Sequence, residues 1–186
     1  MIRTDTIILS MIVVVMIFSI VSATAIKPEK SAHKMLIELK LETVDYKDVS
    51  VAENNNYQST IECVENMGIH YINDELASDL EVDEMNPEII LYEPKKNGDF
   101  RLTGVEYFVP AMVETEEGLV PWFGESVPEQ GFANEAPILF NKHKMEGPMP
   151  GHDPNMPWHY DLHVWIWKFN TDGTFSSFNP RVNCNP

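Results

Sequence analysis

The chain has 186 residues and a formal net charge of −16, with 29 Asp and Glu against 13 Lys and Arg. So acidic a surface repels nucleic acid and anionic membranes and favours cations or basic partners, although more often it does no more than keep a protein soluble. With an N-terminal segment set aside the length suits one domain with a sizeable core, and two cysteines allow at most one internal bridge.

Residues 1–25 read as a signal peptide. Residues 7–21 are almost wholly apolar, Arg3 supplies positive charge ahead of them, and Ala23-Thr24-Ala25 offers a small-x-small cleavage site. The competing reading is an uncleaved signal anchor, which would bring the protein to a membrane. Either way residues 26–186 form a single domain outside the cytoplasm, secreted or held at a membrane by the N-terminal segment.

Residues 27–55 predict a helix or helical pair, with Ile37, Leu41, Val44 and Asp48 at spacings of three or four and Asn54-Asn55-Asn56 ending it. Residues 57–65 read as a connector carrying Cys63. The first strand is expected over residues 67–73, with His70 and Ile72 on one face and Ile69 and Tyr71 on the other. Residues 74–86 read as an acidic surface loop with a short helical turn. Residues 87–110 predict a hairpin closed at Lys95-Lys96-Asn97-Gly98, because an Asn-Gly pair between two β-rich runs is a strong turn signal. On its return strand simple alternation puts Phe100, Leu102, Glu106 and Phe108 on one face, so Glu106 needs a partner among apolar neighbours.

Residues 111–157 carry seven prolines and little periodicity, and read as a long loop anchored by the segments PWFG and PILF. Residues 156–184 predict a second hairpin with the turn Asn170-Thr171-Asp172-Gly173. In its first strand His159, Asp161, His163, Trp165 and Trp167 share a face. The fold expected is therefore α+β, an N-terminal helix packed on a mostly antiparallel sheet built from two hairpins, with a long Pro-rich loop.

An exported chain with two cysteines favours a Cys63–Cys184 disulfide; two buried free thiols are the alternative. For chemistry, the residues that stand out are His70, Glu106 and His163, with His159 or a water as a fourth group. Imidazole and carboxylate together suit zinc, copper or iron. The same set would also serve as a hydrogen-bonded core network with no ion. Trp165 falls beside His163 as a candidate ligand-binding residue. His152 with Met145, Met149 and Met156 forms a weaker, copper-like grouping, and His33 and His143 read as solvated. Trp122, Trp158, Trp165, Trp167, Phe175 and Phe178 read as core, with an aromatic pocket as the alternative. The chain has no GxSxG, no glycine-rich phosphate loop and no CxxC, and nothing selects a carboxylate pair for glycoside hydrolysis.

The segments MGIHY, GVEY and LHVW, with the export signal and the run TVDYKDVSVAENNNY, resemble a family of uncharacterised exported prokaryotic proteins. The family pattern carries Thr43, Tyr46, Asp48 and Ala52, and a glycine where this chain has Asn56. The resemblance implies importance for Cys63, His70, Glu106, His163, Trp165, Asn179 and Cys184, and brings no activity with it. These readings converge on an exported binding protein with a polar His/Glu site for a metal ion or small polar ligand, no nucleic-acid partner, and no assigned catalytic residue. A metal-dependent enzyme using the same residues and a structural or interaction protein are the alternatives.

Overall fold

The computed structural model describes residues 30–152 and 155–185, so the expected signal segment lies outside the described residues. Within them the chain is α+β: helix α1 (Ala32–Glu42), a 3-10 turn (Val44–Lys47), helix α2 (Val49–Asn54), a short helix α3 (Asp74–Ser78) and ten strands. Six strands make the central antiparallel sheet. They are β1 (Gln58–Val64), β2 (Gly68–Ile72), β3 (Ile89–Pro94), β4 (Phe100–Pro110), β10 (His159–Val164) and β9 (Glu146–Met149), in that spatial order. The small pairs β5 (Met112–Thr115) with β6 (Gly118–Pro121), and β7 (Ile138–Leu139) with β8 (His143–Lys144), stand apart from it. No helix among the described residues is long and apolar enough to cross a membrane.

The N-terminal helices form where expected, but α1 turns a different face to the core. Met35, Leu39 and Thr43 are buried at a spacing of four, whereas Ile37 and Leu41 are 49% and 66% exposed. Ser31 caps the helix by accepting from the Lys34 N–H. Asn56 takes a φ of +67°, the left-handed conformation expected after a helix C-terminus. Residues 58–64, expected as a connector, are instead the edge strand β1. Its exposed Gln58, Ser59, Thr60 and Glu62 give it no apolar alternation to betray it.

The β3–β4 hairpin and its Asn-Gly turn are present, with one change that decides the site. Leu91 pairs with Gly104 while Tyr92 pairs with Leu102, so Thr103 is an extra residue in β4. Such a bulge reverses the side-chain alternation beyond it. Phe100 and Leu102 therefore join Val105, Tyr107 and Val109 on the helix-covered face, while Glu106 and Phe108 face the other way. The predicted sharing of one face by Phe100, Leu102 and Glu106 is thus corrected.

The Pro-rich segment is less irregular than its composition indicates. It contributes β9 to the sheet edge, and Leu139, Phe140 and Met145 to the core. The expected last hairpin does not form. β10 pairs with β4 and β9, and residues 165–185 return as turns and bends. The Trp167 and Lys168 N–H groups both donate to the Thr103 carbonyl, which draws the chain across the bulge instead of back along β10. Trp167 consequently leaves the face of His163 and donates from Nε1 to Thr43 Oγ1 on the helix side. Gly104 makes the crossing possible: a Cβ there would lie 2.7 Å from the Val164 carbonyl oxygen and 3.2 Å from the Trp165 ring. Cys63 and Cys184 are bonded, fixing the C-terminal tail against the β1 edge.

Candidate functional site

The site lies on the sheet face away from α1 and α2. Alternation along β2 and β10, and the shifted alternation of β4, bring His70, Glu106 and His163 to adjacent positions on one surface. His163 and Glu106 are register partners, and His70 reaches the same carboxylate from two strands away. The Glu106 Oε2 atom is 3.2 Å from His70 Nε2 and 3.4 Å from His163 Nε2. One nitrogen or oxygen from each of the three side chains lies within 4.8 Å of the others. Donors about 2.0–2.2 Å from a shared ion sit at roughly such mutual distances.

Burial sharpens the arrangement. Glu106 is 3% exposed and His163 2%, with His70 on the more open side. Although close, these groups are not mutually well hydrogen-bonded: Glu106 Oε2 and both ring nitrogens of His163 are buried with no oriented hydrogen bond. Burial opposes ionisation of Glu106, but the imidazoles of His163 and His70 outweigh it and hold the carboxyl well below its ordinary value. Burial also pushes His163 below the usual imidazole value, against the pull of Glu106. The two tendencies conflict: an ionised Glu106 needs a cation beside it, and His163 resists becoming one.

Trp165 stacks on His163 at 5.8 Å between ring centroids and donates from Nε1 to the Ser176 carbonyl oxygen. It backs the imidazole and does not line the cavity described below. His159 does not join the three converging residues. Its Nδ1–H donates to the Pro157 carbonyl oxygen, its ring stacks on Phe108, and its Nε2 is buried without a partner. The expected fourth ligand is therefore a neighbour on the same strand. The copper-like grouping also fails: Met145 packs in the helix-side core, far from the surface shared by His152 and Met156. His143 stacks on Phe175 at 3.6 Å instead of standing in solvent.

The triad opens into a cavity of about 810 Å³ lined also by residues of β1, α3, β5, β6 and the segment before β10. None of the tryptophans lines it, so the aromatic-pocket reading is not met. Two buried carboxyls nearby did not stand out in the sequence. Asp161 is pushed up to about 8 by burial, reinforced by Glu106 and Glu146. Burial likewise raises Glu88 to about 8, although it accepts from the Phe108 N–H. Asp161 was findable, since it alternates with His159 and His163 on β10; Glu88, just before β3, carried no such mark.

Comparisons with protein-family models, curated proteins and solved structures give no match.

Proposed function

We propose that the protein is a metal-binding protein whose site is His70, Glu106 and His163. The observation that carries this is the convergence of two imidazoles and one carboxylate at 3.2 and 3.4 Å, with Glu106 Oε2 and both His163 ring nitrogens buried and lacking oriented hydrogen bonds. Native interiors rarely leave several such atoms without partners, and a two-His, one-carboxylate set is suited to zinc, iron(II) or copper. A dry structural network is the weaker reading, because it would be expected to orient these same atoms onto one another. The family resemblance supports the choice of residues, and the Cys63–Cys184 bond supports an exported, oxidising location for the binding protein.

A second reading has an observation of its own. Three protein ligands facing a cavity of about 810 Å³ leave room for water or substrate on the ion, the pattern of catalytic sites. Zinc titration by calorimetry tests both readings at their common root. Wild-type protein should bind one zinc per chain, His163→Ala should bind none, and His33→Ala and His143→Ala should match wild type. Equal zinc binding by wild type and His163→Ala would overturn the site. An ion that carries an exchangeable water, seen by the same protein loaded with cobalt, would favour the enzyme.

A further inference from the structure

The cavity above the triad has an unusual charge balance. Its lining includes the carboxylates Glu62, Asp74, Glu106 and Asp161 and, among the described residues, no Lys or Arg. Glu62 and Asp74 are exposed, so the carboxylates reach from solvent down to the buried Glu106. Between them the wall is apolar, through Ile72, Leu80, Phe108, Met112, Leu119 and Met156. Leu80 and Leu119 remain 40% and 55% exposed, leaving greasy surface uncovered beside an acidic entrance.

We propose that this cavity takes a cationic amphiphile, a small amine-bearing molecule with an apolar body, and turns anions away. The volume of about 810 Å³ falls within the range of small-molecule sites. An apolar body replaces water along the wall, while the ammonium group meets Glu62 and Asp74 at the entrance and, with no ion bound, Glu106 at the floor. The Glu106 Oε2 atom, buried and without an oriented hydrogen bond, is the second and independent sign that the cavity receives a positively charged group. Occupation of the triad by a divalent ion does not reverse the sign. The carboxylates of Glu62, Asp74 and Glu106 alone outnumber the two positive charges of such an ion. Carboxylates and phosphates find no side-chain cation in the lining to pair with. The inference deepens the metal-site reading, since it rests on the same floor, but its chemistry comes from the walls and the entrance.

The test compares octylamine, octanol and octanoate, which share one apolar body and differ in charge, by calorimetry on the full chain with and without zinc. Octylamine should bind tightest and octanoate weakest in both states. The double variant Glu62→Gln/Asp74→Asn, at exposed positions, should weaken octylamine roughly tenfold and leave octanol unchanged. Octanoate binding as tightly as octylamine, no binding of any of the three, or an unaltered octylamine affinity in the double variant would each overturn the proposal. Zinc titration of the same preparation separates the two readings. Zinc binding without octylamine binding overturns the ligand class alone, and octylamine binding without zinc binding overturns the metal site alone.

Discussion

The two faces of the central sheet solve the burial of polar groups in opposite ways. On the helix-covered face four deep tyrosine hydroxyls donate to backbone carbonyls: Tyr57 to Pro87, Tyr92 to Tyr46, Tyr107 to Glu84 and Tyr160 to Asn134. On the opposite face Glu106 Oε2, His159 Nε2 and both His163 ring nitrogens are buried without hydrogen bonds, and these four atoms all belong to β4 and β10. The same strands supply both faces, so the difference is not a matter of local packing quality. The contrast supports the proposal that one face is scaffold and the other a binding surface.

A like contrast separates two buried carboxylates. Glu93, 4% exposed, is held by Arg101 at 3.0 Å and by Lys168, and is complete within the chain. Glu106, equally buried, is paired with imidazoles and, among the described residues, with no Lys or Arg. Breaking a pair such as Glu93 with its cations tests stability; changing Glu106 tests the proposed metal site.

The comparison can be broken most forcefully at the tail. Cys63→Ala/Cys184→Ala should lower stability by up to about 5 kcal/mol, the chain-entropy value for so long a loop, with measured losses often smaller. Because the tail also brings Val182 to the apolar cluster of Ile89, Leu91, Phe108 and Trp165, that variant should loosen the site face before the helix face in hydrogen exchange. A count of two free thiols on denatured, unreduced protein would contradict the bond itself. Next in size, Leu39→Ala on the scaffold face should cost about 3 kcal/mol by denaturant unfolding and leave zinc affinity unchanged, since Leu39 is fully buried among the helix-side residues. Loss of zinc binding in that variant would show that the two faces are not separable.

Glu88 gives a pH test. Its folded-state value is raised to about 8, so the stability it contributes is fully present below the ordinary carboxylate range and is lost as pH rises through 8. Glu88→Gln should therefore flatten the decline in stability between pH 6 and pH 9, by about 2 kcal/mol once water penetration discounts the full burial cost. Parallel denaturation curves of variant and wild type across that interval would contradict the assignment. The smallest expected effect is at the crossing point: Gly104→Ala should destabilise by about 1–2 kcal/mol, because the Val164 carbonyl is backbone and has little room to yield.

Much of the site was legible because strand alternation is a strong signal. The residues MGIHYIN and HYDLHV place His70 and His163 mid-strand without ambiguity, and the Asn-Gly turn fixes the hairpin that carries Glu106. The Thr103 bulge was not legible, since threonine inside a β-rich run looks like any other strand residue, and only the adjacent Gly104 hints at a close approach. Glu106 was nonetheless selected because its burial was inferred from neighbours that turn out to lie on both sides of the bulge. The helix stripe failed because α1 spreads apolar residues around its circumference, so Ile37 and Leu41 competed with Met35 and Leu39 on equal terms. β1 hid behind its polar edge, and the last return strand was expected from composition although Thr103 claims the backbone donors of Trp167 and Lys168.

Elemental analysis of the chain expressed without a His tag and loaded with zinc decides whether Glu106 helps to hold an ion. Wild-type protein should carry about one equivalent of zinc per chain and Glu106→Gln should lose it, with Glu93→Gln, which disturbs the paired carboxylate, retaining it. No bound zinc in wild type, or equal occupancy in wild type and Glu106→Gln, would contradict it.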